Sequence, residues 1–204
     1  MARECNLSTE TSEDVKAIAF QCDISDEGKV HQVFDQIYGH FGRVDILINN
    51  AGVVQCLPFS ELKSSNIERT FKVNVFGHFW TIREVLDKMK SANDGHIVAI
   101  SSIAGLLGTP NLVDYCSSKH ATIGLMTALD RELNQNDKNR IKLTTVCPLS
   151  INTGMFEKPR TRFEAIFPVL TAEYVASQVI EAIQTDSKLT TVPQTAHWFH
   201  KLGG

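Results

Sequence analysis

"VDILINNAG", residues 44–52, is a short run of aliphatic and β-branched residues that stops on two asparagines, an alanine and a glycine. An apolar run of this length closed by turn-forming residues is the pattern of a strand buried on both faces of a parallel sheet. Helical periodicity flanks it on both sides: residues 26–41 put Val30, Val33, Phe34 and Ile37 on one face, and residues 61–92 continue a second amphipathic pattern. The alternation extends along the chain, with strand patterns over residues 15–21, 44–50, 96–102, 141–147 and 189–193 and helical patterns over 26–41, 61–92, 115–134 and 171–185. Strand and helix taking turns predict an α/β domain built as a doubly wound, mostly parallel sheet with helices on both faces. No repeat, low-complexity tract or linker divides the sequence, so residues 1–204 read as a single domain.

Composition narrows the class of function. With 43% hydrophobic and 21% charged residues the chain has the make-up of a globular protein. A formal net charge of -3 leaves no electrostatic footprint for nucleic acid. Five scattered cysteines, Cys5, Cys22, Cys56, Cys116 and Cys147, have neither metal-site nor disulfide-scaffold spacing and read as reduced, mostly buried thiols. The seven histidines show no ligand spacing, so no metal is expected. No stretch of this chain has the length and apolarity of a membrane span.

In a sheet of this kind ligands bind beyond the carboxyl ends of the strands. The segments there are NNAG (49–52), SSIAG (101–105) and CPLSINTGMF (147–156), with DYCSSKH (114–120) opening the next helical pattern after the second of them. Tyr115 and Lys119 are four apart and therefore share a helix face. A free phenol titrates near roughly 10, too high for a base at neutral pH, and an adjacent ammonium is expected to draw that value down. Singly, each residue has an ordinary structural reading: a chance pair on an amphipathic helix, a turn serine at Ser102, a solvated helix residue at Asn74, an N-cap at Asp23. Phe76, Phe79 and Trp80 read as core or subunit interface. Order and spacing together favour chemistry.

Together the NNAG turn, Ser102 placed thirteen residues before Tyr115, the YxxxK pair and the loop from Pro148 to Thr153 resemble the short-chain dehydrogenase/reductase family over nearly the whole chain. The segments NVFGHFWTIREVLDKM, GHIVAISSIAG, YCSSKHA and INTGMF most resemble the branch of epidermal retinol dehydrogenases and lipid-droplet 17-beta-hydroxysteroid dehydrogenases. The resemblance implies a Rossmann-like fold, NAD or NADP as cofactor, a lipophilic alcohol or ketone of the retinoid or steroid class as substrate, and a homodimer. It implies Tyr115 as the proton-transferring group, Ser102 as the holder of the substrate oxygen, Lys119 on the nicotinamide ribose, and Asn74 holding a water that links Lys119 to solvent. It places Asp23 at the adenine, Asn50, Ala51 and Gly52 against the adenosine ribose, and Thr153 on the carboxamide, and counts Tyr115 with Lys119 among the cofactor-binding residues. Leu149 departs from the family pattern, which often has glycine after the CP proline. The apolar loop 157–168, with Phe163, Ile166 and Phe167, suits a greasy substrate.

None of the twelve glycines forms the GxGxxG turn at which helix N–H groups meet a pyrophosphate. Residues 1–20 resemble the tail of the second family helix running into the third strand, so the resemblance implies an amino-terminally truncated domain lacking the first strand, first helix and second strand. In the family's sheet order that loss orphans VKAIAF (15–20) and leaves DILINN (45–50) as an apolar edge. It also removes the residue that separates NAD from NADP. Two functions follow as expectations: an oxidoreductase, or a non-catalytic truncated form acting through association with a partner subunit. The chain as written reads as cytoplasmic, and a form with an amino-terminal anchor would sit at the endoplasmic reticulum or lipid droplet.

Overall fold

The computed structural model describes residues 17–153, 155 and 169–196. Helix α1 spans Glu27–Phe41 and is started by Asp26, whose carboxylate accepts the N–H of Lys29. Gly42, with φ of 73°, ends it in a conformation that favours glycine. Strand β1 follows over Ile46–Asn49. The single helical pattern over 61–92 resolves into three parts: α2 over Ser64–Phe71, a π-helical turn over Lys72–Phe76, and α3 over Gly77–Ala92. The remaining elements are β2 (Gly95–Ile100), α4 (Val113–Leu133), β3 (Ile141–Pro148), α5 (Ala172–Gln184, capped by Thr171) and β4 (Leu189–Val192).

The four strands lie in chain order, β1-β2-β3-β4, and every pairing is parallel. Side-chain alternation along β2 feeds both faces. Ile97 and Ala99 join Val30 and Phe34 of α1, Ile82 and Val85 of α3, and Met126 and Leu129 of α4 in one core. Val98 points the other way, into a second core with Val146, Val192 and the α5 residues Val175 and Val179. Helices on both faces of a parallel sheet make this a doubly wound, Rossmann-like fold.

The strand expected over residues 15–21 is not formed in its described part: residues 17–21 carry no ladder pairing, and residues 15 and 16 lie outside the described set. A strand exists only through a neighbour's N–H and C=O groups, and β1 pairs with β2 alone among the described strands. Among the described strands β1 and β4 are therefore the two edges of the sheet. Ile46 and Ile48, on the same face of that strand, are 48% and 47% exposed, while Leu47 on the other face packs against the α1 and α3 core. An apolar edge at this strand is what the family resemblance implied. Among the described residues no helix is long and apolar enough to cross a membrane. Of the cysteines, Cys116 and Cys147 are buried, Cys22 is half-buried, Cys56 is exposed and Cys5 lies outside the described residues.

Candidate active site

The turn after β1 is fastened to the helix at the π-helical turn. Asn74 is fully buried there, and its side-chain oxygen accepts the N–H of Val53 at 2.8 Å while its amide donates to the Val53 carbonyl at 2.9 Å and to Ser118 Oγ at 3.0 Å. Its own carbonyl accepts from Thr122 Oγ1 at 3.0 Å. These bonds engage both N–H donors of the amide, so the side chain works as a clamp between the NNAG turn and α4. Asn74 stands at a π-helical turn, with its side-chain amide given to the Val53 backbone and Ser118. Gly52 sits close below: a Cβ there would lie 3.5 Å from Asn74 Oδ1 and 3.6 Å from Lys119 Nζ.

Ser102 closes β2 and starts the short 3-10 turn Ile103–Gly105, accepting the N–H of Ala104 at 3.2 Å. That turn lies tightly on α4, where a Cβ on Gly105 would come within 2.8 Å of the Lys119 carbonyl. The glycine thus sets the distance between Ser102 and the Tyr115–Lys119 face. Ser102 hydrogen-bonds the Tyr115 phenol, and Tyr115 is 5% exposed. Lys119, equally buried, stands with Nζ 5.7 Å from the centre of the Tyr115 ring and donates to the Ile100 carbonyl at 2.8 Å. Three of the expected residues are therefore gathered at one point.

The electrostatics differ from the expected tuning. Burial pushes the Tyr115 phenol up to about 12, with the Ser102 hydrogen bond pulling the other way. Burial also brings the Lys119 ammonium down to about 8. Desolvation disfavours the charged form of each group, and here it outweighs the attraction expected between them. The phenol is consequently a protonated acid throughout the neutral range. His78, behind this site on α3, is 1% exposed and held neutral, with a value near 3 set by burial and then by Lys119.

These side chains border a cleft of about 790 Å³ at the carboxyl ends of β1, β2 and β3. Asn50, Gly52, Ser102, Tyr115, Lys119 and Thr153 all line it, as expected, and Ala51 and Asp23 do not. Asp23 is exposed at the start of the α1 region, its carboxylate accepting the backbone N–H and hydroxyl of Ser25. It caps no helix. Asp26 does. Leu149 is buried under α5 instead of leaving the loop open, and the loop 157–168 lies outside the described residues. Among the described residues no cluster of His, Cys, Asp and Glu is placed to hold a metal. The cleft wall also contains Arg69 of α2, which no motif marks, because a lone exposed arginine on a helix has no pattern to distinguish it.

Comparison with known proteins bears on the same residues. The short chain dehydrogenase family signature matches residues 2–163. The chain belongs to this family. Among curated short-chain dehydrogenases it is 43% identical to the cattle (Bos taurus) short-chain dehydrogenase/reductase family 16C member 6 over 90% of its length and 58% of that protein's. It is 38% identical to zebrafish (Danio rerio) retinol dehydrogenase 10-B, over 96% of this chain and 61% of the relative. It is likewise 38% identical to rat (Rattus norvegicus) 17-beta-hydroxysteroid dehydrogenase 13, over 85% and 57%. The retinol and 17-beta-hydroxysteroid dehydrogenase branch recognised in the motifs is the one these relatives represent. The chain spans about three fifths of the length of the curated relatives it matches. A solved short-chain dehydrogenase from Burkholderia phymatum, in complex with NAD, superposes with a TM-score of 0.80 at 25% identity, covering 92% of this chain and 75% of its own.

Proposed function

We propose that this chain carries the catalytic part of an NAD(P)-dependent oxidoreductase that interconverts a lipophilic alcohol and its carbonyl, of the retinoid or steroid class. The observation that carries the reading is the buried Ser102–Tyr115 hydrogen bond beside Lys119 at the wall of the cleft. A nicotinamide dinucleotide fits the cleft's chemistry, because the described lining residues include two cations, Lys119 and Arg69, and no carboxylate. When bound, such a cofactor would accept or supply the hydride. Lys119, Asn50, Gly52 and Thr153 are the residues to hold it, with Ala51 and Asp23 beside them at the adenosine end.

Tyr115, protonated at neutral pH, is in the state to give a proton to a carbonyl oxygen during reduction, which leaves the phenolate; in the reverse direction it is that phenolate, after its proton has been lost to solvent, that takes the alcohol proton. Ser102 holds the same oxygen through its hydroxyl. Asn74 keeps the NNAG turn against α4, so the adenosine side and the proton-transfer side of the cleft stay in register. The retinol and steroid dehydrogenase names among the relatives support the substrate class. The experiment is a titration of NADH and NADPH against the protein, read by blue shift and enhancement of nicotinamide fluorescence, followed by turnover of retinol and steroid alcohols. Absence of both cofactor binding and turnover in a form with the relatives' full length would defeat the reading.

A homodimer belongs to the same reading. Phe76 and Phe79, 45% and 40% exposed at the π turn and the start of α3, support an apolar contact there. Sedimentation at micromolar concentration should give twice the monomer mass, and a stable monomer would rule the contact out. A second reading, a non-catalytic form that acts through a partner subunit, is favoured by the exposed Ile46–Ile48 edge of β1. Cofactor binding separates the two.

A further inference from the structure

Arg69 has no role in the proton-transfer machinery, yet it is built into the cleft wall beside Gln55 and Val53. Its helix is firmly seated: the next residue, Thr70, is fully buried and donates to Asp114 Oδ2 of α4 at 2.8 Å, and Asn66 one turn earlier bonds Gln55 at 3.4 Å. The guanidinium itself is exposed, and among the described residues it makes no hydrogen bond and no ion pair. Of the carboxylates on the adjoining segments, Asp23 accepts from Ser25, and Asp114 accepts from Thr70 through Oδ2 while its buried Oδ1 has no hydrogen-bond partner among the described residues. Asp23 still feels the Arg69 charge, which helps lower its pKa after the two Ser25 hydrogen bonds. Arg69 therefore lines the cleft within electrostatic reach of Asp23, and among the described lining residues there is no carboxylate to neutralise it. The other cation, Lys119, is buried and already donates to Ile100.

We infer that Arg69 is a phosphate contact of the bound nucleotide, its guanidinium donating to the phosphate oxygens that lie between the adenosine and nicotinamide ends. This rests on the NAD(P) reading above and adds to it a binding residue on α2. Arginine suits the task because its planar fork meets two phosphate oxygens at once and stays charged at any working pH.

The test is equilibrium titration of these 204 residues and of the Arg69→Gln, Arg69→Lys and Lys90→Gln variants with adenosine, ADP and NADH, at low and raised salt. The wild type should bind ADP more tightly than adenosine, by a margin that shrinks with salt. Arg69→Gln should lose roughly tenfold or more of the ADP affinity while keeping that for adenosine. Arg69→Lys should recover part of it, and Lys90→Gln, on the exposed side of α3, should match the wild type. Circular dichroism confirms that each variant is folded. Equal ADP and NADH affinities in the wild type and Arg69→Gln would overturn the inference and leave the cofactor reading standing. Arg69-dependent ADP binding with no nicotinamide fluorescence change would support the phosphate contact and sink the cofactor reading. No binding of any probe by the wild type would overturn both.

Discussion

Tyr115→Phe is expected to lower turnover by roughly 10²–10⁴-fold, the range associated with loss of a positioned proton donor. The measurement is made on these residues joined to the part of a curated relative that lies outside the matched span, so that cofactor binding is not limiting. The substitution removes one hydroxyl from a side chain that is 5% exposed and keeps the ring that packs with Ala104, Cys116, Val54 and Leu112. Stability should change by only about 1 kcal/mol, the net worth of the hydrogen bond to Ser102. Affinity for NADH should stay close to that of the parent, because the phenol contributes the transferable proton and not the hold on the dinucleotide. A fall in kcat with little change in cofactor binding is therefore the signature of proton transfer. Parental turnover in the variant would remove Tyr115 from that role and leave the Ser102–Tyr115 contact as packing.

The second large effect concerns the open side of the sheet and the phosphates together. Joining these residues to a relative's strand–glycine turn–helix segment should raise NADH affinity by at least roughly a hundredfold, the equivalent of two charge-assisted hydrogen bonds from a helix N-terminus. The same addition should raise the denaturation midpoint. Ile46 and Ile48 are each about half exposed at the β1 edge, and covering them with a strand and a helix contributes on the order of 1 kcal/mol apiece. Affinity and stability should rise in the same fusion, whereas a glycine-turn peptide added in trans should do neither unless it pairs with β1. Retinol and steroid alcohol turnover is expected only in the fusion. Equal NADH affinity with and without the segment would mean that other residues of this chain hold the phosphates, with Arg69 the first to examine.

The element order was legible in the residues because a buried parallel strand and an amphipathic helix have different periods, and VDILINN, GHIVAIS and IKLTTVC contain nothing else. Strand positions came out within a few residues: the patterns at 44–50 and 141–147 became Ile46–Asn49 and Ile141–Pro148. The gathering of Ser102, Tyr115 and Lys119 was legible too, since two of them share a helix face and the third ends a strand beside it. What a periodicity cannot contain is the outcome of competition in three dimensions. The strand pattern near residue 20 stayed unpaired because a ladder needs a neighbour, and the helix over 61–92 contains a π turn at Asn74, whose side chain bonds partners 21 and 44 residues away in the chain. Tyr115 and Lys119 were moved toward their neutral forms because burial of both outweighed their mutual attraction, and burial is a property of the whole packed core. Arg69 gained its place in the cleft only when α2 docked through Thr70 on Asp114, a contact spanning 44 residues of chain that no local pattern encodes.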